Sequence, residues 1–378
     1  MKQTRNRMIL AITLGMSLVI AQPVSASNQY SIVDLGTLGS TFGYAFAINE
    51  NGKVLGQSAT ALDESHSFIW ENGVMTDLGS LDSVNSYTDA RDINNNGQVV
   101  GYSNATMGGA FLWQQGIMIN LGILPGGSFS YANAINENGR VVGASNTESG
   151  ETHAFIWHNG VMTDLGTLGG TSSDATVINN LGQIAGVSDT ASGEVHAFLW
   201  RNGVMTDLGT LDVPSGYYPI AINDRGQILG YYGDISLGES QAFLWQNGVM
   251  TDLGSLGGDY TFPQDINERG QVVGASRTAS GEYHAFLWKN GVMTDLGTLV
   301  GGTNSFATAI NERGQIVGQS DNGSETLAFI WQDGVMIGLE SLGGTFNSAN
   351  AINNGGQIAG QSITALGDAS HAVLWTNE

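Results

Sequence analysis

Short apolar runs alternate with polar turns along the chain from residue 30 onwards. Between residues 305 and 339, for example, the turns ERG, DNGSET and QDG separate the runs SFATAIN, QIVGQS, LAFIW and VMIGL. Short runs rich in Ile, Val, Phe and Trp, interrupted by Gly beside Asn or Asp, are typical of β-hairpins. No window of helical length keeps a helical period without an interrupting glycine. The pattern predicts an all-β chain.

The apolar runs belong to a repeat. The first marker is a tryptophan, which recurs eight times at intervals of 43 to 45 residues. A second marker, Ile-Asn followed by Gly, also recurs eight times, in step with the tryptophans. Four short strands in about 44 residues is the size of a propeller blade. We therefore predict an eight-bladed β-propeller with four strands per blade. The eight tryptophans are Trp70, Trp113, Trp157, Trp200, Trp245, Trp288, Trp331 and Trp375.

The two ends of the repeat array complement each other. The first run, YSIVDLGTLG at 30–39, matches the fourth strand of a unit, and the last unit stops after its third strand at Trp375. Pairing the two would remove the exposed sheet edges of an open array. We predict that the last blade is closed by the N-terminal strand, because an open solenoid would need capping units and the sequence has none.

The first 26 residues have the pattern of a secretory signal peptide. Lys2, Arg5 and Arg7 precede an apolar stretch from Met8 to Ala21, and Ala26 ends a small-residue cleavage site. We expect residues 27–378 to form a single propeller domain. We expect it to be secreted, extracellular or periplasmic, and monomeric, with no membrane span and no C-terminal anchor.

Charge and cysteine content restrict the chemistry. The first 26 residues hold three of the twelve Lys and Arg and no acidic residue, which leaves nine basic residues against 34 acidic ones in the rest of the chain. Such a surface repels phosphate backbones, so no nucleic-acid partner is expected. The chain has no cysteine. Thiol chemistry and Cys-ligated zinc are therefore excluded.

The repeated words resemble those of a known family. HAFLW, TDLGTLGG and Ile-Asn followed by GQVVG recur in fixed order over essentially all of the chain after residue 26. This pattern is similar to that of the HAF-repeat extracellular proteins of bacteria. The resemblance implies export and a β-repeat fold, and it implies no established activity.

The repeated polar residues are interpreted as scaffold. A His precedes Ala-Phe in five units, where we expect a ring nitrogen to bond a neighbouring loop, since Leu327 occupies the same position elsewhere. The Asp of the Asp-Leu-Gly word should bond the turn that follows it. Equivalent positions on a ring give equal environments, which disfavours a catalytic pair. We predict no catalytic residue, no metal site and no enzymatic activity.

A candidate binding surface lies where the units differ. Aromatic residues stand six or four positions before the Ile of Ile-Asn, and the fifth unit adds a tyrosine cluster. At the mouth of the innermost strands they would form a stacking surface for a carbohydrate or a protein partner. The alternative is that they pack between blades. The predicted residues are Phe42, Tyr44, Tyr87, Phe129, Tyr131, Tyr217, Tyr218, Tyr231, Tyr232, Tyr260, Phe262, Phe306 and Phe346.

The loops between second and third strands are acidic. None has the ligand spacing of a calcium loop, so a solvated acidic rim is the first interpretation and calcium binding the alternative. No other cofactor is expected. The loop carboxylates are Asp63, Glu64, Glu148, Glu151, Asp189, Glu194, Asp234, Glu239, Glu282, Asp321, Glu325 and Asp368.

Three functions are compatible with this organisation. The leading hypothesis is an exported, non-catalytic binding propeller that holds its ligand on the variable-loop face, with a glycan as the most specific version. The second is a hydrolase or lyase acting in the central funnel, which rests on analogy with other propellers. The third is a structural component of an extracellular matrix.

Overall fold

The structure, a computed structural model, describes residues 30–82, 87–104, 109–211, 216–233 and 240–377. These residues form 32 strands in five four-stranded sheets and one twelve-stranded sheet, in which parallel bridges join three neighbouring units. The prediction of an all-β chain with four-stranded, blade-like sheets is confirmed. The predicted signal peptide lies outside the described residues. Within them, no helix has the length and apolar character to cross a membrane.

We number the repeats as units 1 to 8 by their tryptophans. The first strands are β2 (Gly39–Ile48), β6 (Thr88–Ile93), β10 (Ser130–Ile135), β14 (Gly169–Ile178), β18 (Tyr217–Ile222), β22 (Gly257–Ile266), β26 (Ser305–Ile310) and β30 (Gly343–Ile352). The second strands are β3 (Val54–Thr60), β7 (Val99–Ser103), β11 (Val141–Asn146), β15 (Ile184–Thr190), β19 (Ile228–Tyr232), β23 (Val272–Thr278), β27 (Ile316–Asp321) and β31 (Ile358–Thr364).

The remaining strands complete each sheet in chain order. The third strands are β4 (Ser65–Glu71), β8 (Ala110–Gln114), β12 (Thr152–His158), β16 (Val195–Arg201), β20 (Gln241–Gln246), β24 (Tyr283–Lys289), β28 (Thr326–Gln332) and β32 (Ser370–Asn377). The fourth strands are β5 (Val74–Asp77), β9 (Ile117–Asn120), β13 (Val161–Asp164), β17 (Val204–Asp207), β21 (Val249–Asp252), β25 (Val292–Asp295), β29 (Val335–Gly338) and, for unit 8, β1 (Tyr30–Gly36).

The outer hairpins turn on two residues with positive φ. In unit 1, Asn72 and Gly73 have φ values of 51° and 84°. A two-residue turn of this kind matches the twist of the flanking strands, and Asn and Gly adopt it at low cost. The same turn recurs in units 2 to 7. This explains the Asn-Gly and Asp-Gly pairs that follow the tryptophans.

The core lies between neighbouring units. Side chains of one unit and the next form a cluster at each junction, as where Leu112 of unit 2 packs with Phe155 and Trp157 of unit 3. The Phe of the HAFLW word is fully buried in units 1 to 7. A cluster also joins Leu374 of unit 8 to Phe68 of unit 1. Burial of these aromatic and aliphatic side chains stabilises each junction.

The buried Asn of each Ile-Asn pair joins its unit to the next. Its Nδ2 donates to the backbone oxygen of the equivalent Asn, for example from Asn49 to Asn94 at 3.0 Å. The series continues through the chain, and Asn353 donates to the oxygen of Asn49 at 3.1 Å. The donors are Asn49, Asn94, Asn136, Asn179, Asn223, Asn267, Asn311 and Asn353.

The chain ends pair with each other. Strand β1 runs antiparallel to β32, with Tyr30 opposite Asn377 and Asp34 opposite Val373. The Nδ1 of His371 lies 2.9 Å from the Asp34 carboxylate. In unit 3 the same contact joins His153 to Asp164 within continuous sequence. The N-terminal strand thus takes the place of the fourth strand that unit 8 lacks, as the sequence predicted.

Candidate functional site

Side chains at one position of the first strands line a funnel on the variable-loop face. This position is four residues before the Ile of Ile-Asn, which is the second residue of the short first strands and the sixth of the long ones. It is aromatic in five units, but it is Asp89 in unit 2, Asp174 in unit 4 and Ser348 in unit 8. The lining is therefore not uniform around the funnel.

Two residues of the predicted ligand-binding surface are buried in the core and cannot contact a ligand there. Tyr217 and Tyr232 are 0% and 6% exposed, and their rings stack at 5.2 Å inside the core. The Tyr217 hydroxyl accepts the backbone N–H of Leu211 at 2.6 Å. In unit 1 the equivalent backbone N–H, that of Leu38, donates to a serine instead, Ser58 Oγ at 2.9 Å. Successive strand residues face opposite sides, so Tyr217 is buried where Tyr218 is not.

The aromatic residues of units 5 to 7 pack largely against one another. Tyr218 stacks on Tyr231 at 5.2 Å, and Tyr231 lies 5.1 Å from Phe262 of the next unit. Tyr283, which was not predicted, connects Tyr260 to Phe306. This favours the packing interpretation in that sector. The predicted residues that are half-buried are Tyr44, Tyr131, Tyr218, Tyr231, Tyr260, Phe262, Phe306 and Phe346.

Open aromatic rings lie in units 1 to 3. Phe42, Tyr87 and Phe129 stand six residues before their Ile and are 48%, 41% and 39% exposed. Phe42 and Phe129 each rest on the half-buried tyrosine two residues further along the strand, with ring centroids 5.7 Å and 6.3 Å apart. The most exposed of the predicted aromatic rings are therefore on this side of the funnel, away from the tyrosine cluster of unit 5.

A polar cluster lies beside these rings, in units 2 to 4. Arg91 Nε is 3.4 Å from Asp89 Oδ2, and its Nη1 donates to the side-chain oxygen of Asn133. The guanidinium carbon lies 5.1 Å from the ring centroid of Tyr131. A guanidinium over an aromatic face is favourable, and it also holds the ring in place. We call Asp89, Arg91, Tyr131, Asn133 and Asp174 the polar cluster.

Asp174 is the acceptor at the centre of the polar cluster. The Tyr131 hydroxyl donates to Asp174 Oδ2 at 3.0 Å, and Asn133 Nδ2 donates to Oδ1 at 2.8 Å. Burial raises the pKa of Asp174 despite these bonds and the nearby Arg91. Burial, and then the Asp174 charge, raise the pKa of Tyr131 as well. Burial therefore raises the pKa of both members of this hydrogen-bonded pair.

Asp89 also affects the tyrosines around it. Burial first, and then the Asp89 charge, raise the pKa of Tyr44 and of Tyr87. Asp89 and Asp174 were not predicted, because only aromatic residues were sought at the funnel positions. The signal was present, since two units place an Asp where five others place an aromatic ring.

The His and Asp of the repeated words form the hydrogen bonds that were predicted for them. His153 Nδ1 lies 2.8 Å from Asp164 Oδ2, while Asp164 Oδ1 accepts the N–H of Gly166 at 2.7 Å. Each Asp therefore fixes both the imidazole and the following turn. The five pairs are His66–Asp77, His153–Asp164, His196–Asp207, His284–Asp295 and His371–Asp34.

The acidic loops bond largely within the protein. Asp321, for example, accepts the backbone N–H groups of Thr303 and Asn304 at 2.7 Å and 2.8 Å and so connects two loops. Among the described residues, no group of three or more His, Asp or Glu side chains is arranged to hold a metal ion. Asp234 and Glu239 lie outside these residues.

The chain is similar to solved β-propeller structures. The oligogalacturonate lyase of Vibrio parahaemolyticus is 7% identical, with a TM-score of 0.50 over 93% of this chain and 94% of that one. The propeller domain of the Trilobed protease of Pyrococcus furiosus is 12% identical, with a TM-score of 0.49 over 79% and 98%. A puromycin-hydrolysing peptidase of Mycobacterium tuberculosis is 11% identical, with a TM-score of 0.49 over 78% and 52%.

The lyase match shows the β-propeller fold, and at this identity it shows the fold alone. The chain spans about half the length of several peptidases that it matches, 52% of one and 50% of another. No family model and no curated protein matches the chain.

The expectation of no enzymatic activity is corrected by the lyase match. It rested on the equal environments of repeated residues and on the lack of familiar catalytic motifs. The same fold occurs in a lyase, over nearly the whole of both chains. The polar cluster also shows that the funnel does not have equal environments around its ring. Absence of a motif is therefore no argument against catalysis here.

Proposed function

We propose that the funnel binds a saccharide chain and cleaves it by acid–base chemistry of the hydrolase or lyase type. The observation that carries this proposal is the asymmetry of the funnel. One sector joins exposed aromatic rings to two partly buried carboxylates, an arginine and an amide. The other sector is occupied by aromatic rings that contact each other. Saccharides need both a flat apolar face and hydrogen-bonding groups.

The exposed rings supply the binding surface. Phe42, Tyr87 and Phe129 are on consecutive units and open to solvent. A sugar chain that crosses these units can stack on more than one ring. Arg91 is fixed between Asp89 and Asn133 and can donate to a hydroxyl or carboxylate of the same chain.

The two carboxylates of the polar cluster suit different roles. Asp174 has a raised pKa and receives bonds from Tyr131 and Asn133, which makes it the proton donor to the leaving glycosidic oxygen. Asp89 is half-exposed and pairs with Arg91, which makes it the base. Pairs of carboxyl groups in unequal surroundings are the usual way to divide acid and base roles.

A degradation assay tests the proposal. The purified chain is incubated with a panel of neutral and acidic polysaccharides, and new reducing ends and new carbon–carbon double bonds are measured. Reducing ends without double bonds indicate hydrolysis, and double bonds indicate a lyase. We expect Asp174→Asn to reduce the rate at least a hundredfold, since general acid catalysis contributes roughly 10²–10⁴-fold.

Two further variants make the assay specific. Tyr131→Phe removes the hydroxyl that donates to Asp174 and is expected to alter the pH profile of cleavage. Asp189→Asn, on the loop side of the same unit as Asp174, is the control and should cleave normally. Cleavage that is equal in Asp174→Asn and Asp189→Asn, or no cleavage of any polysaccharide, would contradict the proposal.

We also propose that the units form a closed eight-bladed ring. The asparagine series that returns from Asn353 to Asn49 and the β1–β32 pairing support this count. Removing residues 27–37 deletes β1 and exposes the edge of β32. We expect this truncation to lower the free energy of unfolding by several kcal/mol. An unchanged unfolding curve would contradict closure by the N-terminal strand.

Membership of the HAF-repeat family and export are proposals of the same kind. The recurring words support the first, and the basic and apolar pattern of residues 1–26 supports the second. N-terminal sequencing of the protein recovered outside the cytoplasm tests export. A mature N-terminus directly after Ala26 is expected, and an intact Met1 would contradict it.

A further inference from the structure

Basic side chains gather on the face opposite the funnel. Seven of the nine Lys and Arg beyond residue 26 lie at the Ile-Asn turns or at the outer hairpin turns. Five of the seven belong to four consecutive units, 4 to 7. They are Arg201, Arg225, Arg269, Lys289 and Arg313. The turns on this face are uniform from unit to unit, but its positive charge is concentrated in one sector.

Two grooves cross this sector. A groove of about 650 Å³ between units 4 and 5 is lined by two arginines, Arg201 and Arg225, by one carboxylate, Asp224, and by Trp245. A second groove of about 410 Å³ between units 5 and 6 is lined by Arg225, Arg269 and Trp288. Arg225 thus lies on the ridge between them. Both volumes fall in the range of ligand-binding clefts, about 300–1,000 Å³.

The scaffold holds the arginines at equivalent points. Asn223 Oδ1 accepts the N–H groups of Arg225 and Gln227 at 3.1 Å and 3.0 Å. Asn267 Oδ1 accepts the N–H of Arg269 at 3.0 Å in the next unit. The side chains of Arg225 and Arg269 therefore leave the backbone at equivalent positions of two consecutive units. In units 1 to 3 the corresponding residues are Asn51, Asn96 and Asn138.

These arginines differ from other basic residues in their ion pairing. Lys53 on the same face pairs with Glu71 at 3.0 Å, and Arg277 on the other face pairs with Asp259 at 3.3 Å. Arg201, Arg225 and Arg269 are exposed and form no ion pair with any residue in the described ranges. Such cations in concave grooves of a strongly acidic chain attract an anionic ligand.

We propose that the two grooves form a second site, which binds a carboxylate-bearing glycan chain. Guanidinium groups bind carboxylates through two parallel hydrogen bonds, and the Ile-Asn turn presents one such group in each of units 5 to 7. A narrow chain with regularly spaced carboxylates can enter the grooves and meet successive arginines. The site is independent of cleavage in the funnel.

Binding of polygalacturonate at low salt, with uncharged dextran as the comparison, tests the site by titration calorimetry. We expect polygalacturonate to bind and dextran not to bind. Affinity should fall steeply as salt is added, because the contacts are between charges. The double variant Arg225→Asn/Arg269→Asn should lose at least tenfold in affinity. It should fold normally, since Asn occupies the same position in units 1 to 3.

Matched variants show whether binding depends on the grooves themselves. Arg140→Asn, on the same face outside the grooves, should bind normally. Tyr87→Ala/Phe129→Ala, in the funnel, should keep salt-sensitive binding, so failure of the funnel proposal leaves this one standing. Equal loss in Arg140→Asn, or no binding of polygalacturonate, would overturn the proposal. The proposal would also be overturned if anionic phospholipid vesicles bound as tightly as polygalacturonate and lost that binding in the Arg225 variant. Salt-sensitive self-association of the protein that accounts for the calorimetric heat would overturn it as well.

Discussion

In units 5 to 7 the first strands hold aromatic rings that contact rings on neighbouring strands, as Phe262 contacts Tyr231 of the preceding unit. In units 2 to 4 the equivalent positions hold Asp89, Tyr131 and Asp174, and the tyrosine hydroxyl donates to the second carboxylate. The backbone is the same in both sectors. One sector uses these positions for packing, and the other presents ionisable groups to the funnel.

The difference shows where function can be sought in a repeat protein. The units share their turns, their asparagine series and their buried Phe residues, which maintain one geometry throughout. A change of residue type at a single lining position then creates a local site without disturbing the scaffold. The most unusual unit by sequence, unit 5, used its extra tyrosines for the core.

The largest expected difference in the free energy of unfolding is between a buried tyrosine and an exposed one, each replaced by alanine. Tyr217→Ala is expected to lower the free energy of unfolding by about 3–5 kcal/mol, because it leaves a cavity and an unpaired Leu211 N–H. Tyr87→Ala should change it by less than about 0.5 kcal/mol, since that ring is exposed. Urea unfolding curves measure both values. Equal costs would show that the buried and open positions have been assigned incorrectly.

Asp92 in unit 2 and Asp265 in unit 6 each make a contribution to folding stability that depends on pH, so both sectors contain such a group. Each carboxylate accepts its own unit's Ile N–H and the Ile N–H of the next unit. Burial raises the pKa of Asp92 to about 6 and raises that of Asp265. The folded state therefore binds the Asp92 proton more tightly than the unfolded chain. Its contribution to stability is complete below about pH 4 and is lost as pH rises through about 6.

Unfolding free energies of the native chain and Asp92→Ala, measured from pH 4 to pH 7, test this sign. The difference between the two should shrink by on the order of 2–3 kcal/mol as pH rises. Alanine is the natural residue at this position in unit 1, where it is Ala47. A difference that grows with pH would contradict the raised pKa.

Replacing an asparagine of the series should lower the free energy of unfolding by a similar amount in both sectors. Asn136→Ala in unit 3 and Asn267→Ala in unit 6 each leave buried N–H and C=O groups without partners, which costs about 1–3 kcal/mol. Asn353→Ala, at the junction of the chain ends, should cost the same. Thermal or urea unfolding gives the three values. A much smaller cost for Asn353→Ala would mean that the junction is weaker than the others.

The smallest expected effect concerns ligand affinity. Phe129→Ala removes one exposed ring and should weaken saccharide binding about tenfold, which corresponds to roughly 1.4 kcal/mol. Leu62→Ala is the control, because Leu62 is 80% exposed on a loop outside the funnel. Calorimetric titration compares the two. Similar losses in both variants would indicate non-specific apolar contacts.

Much of the fold could be predicted from the sequence because its signals are local and repeated. Apolar runs separated by Asn-Gly turns define hairpins, and the spacing of tryptophans defines the unit. The matching halves of a unit at 30–39 and 371–375 also predicted the β1–β32 pairing. The hairpins and the unit are thus defined by residues close together in the chain, and the pairing of the chain ends follows from comparing them with a complete unit.

The site was harder to predict because it depends on contacts between units. Tyr217 and Tyr218 are equivalent by composition, and only the pairing of β18 with β19 shows which of them is buried. The bond between Tyr131 and Asp174 spans 43 residues and joins two units. Composition indicated aromatic positions correctly but not their exposure, and it gave no reason to group Asp89, Arg91 and Asp174.

The central claim is that the working sector of the funnel lies in units 1 to 4 and not in units 5 to 7. A glycan array with three proteins tests it most directly: the native chain, Tyr87→Ala/Phe129→Ala, and Tyr218→Ala/Phe262→Ala. We predict that the native chain binds at least one saccharide class, that the first variant loses it and that the second keeps it. Loss in the second variant alone, or no saccharide bound by the native chain, would contradict the claim.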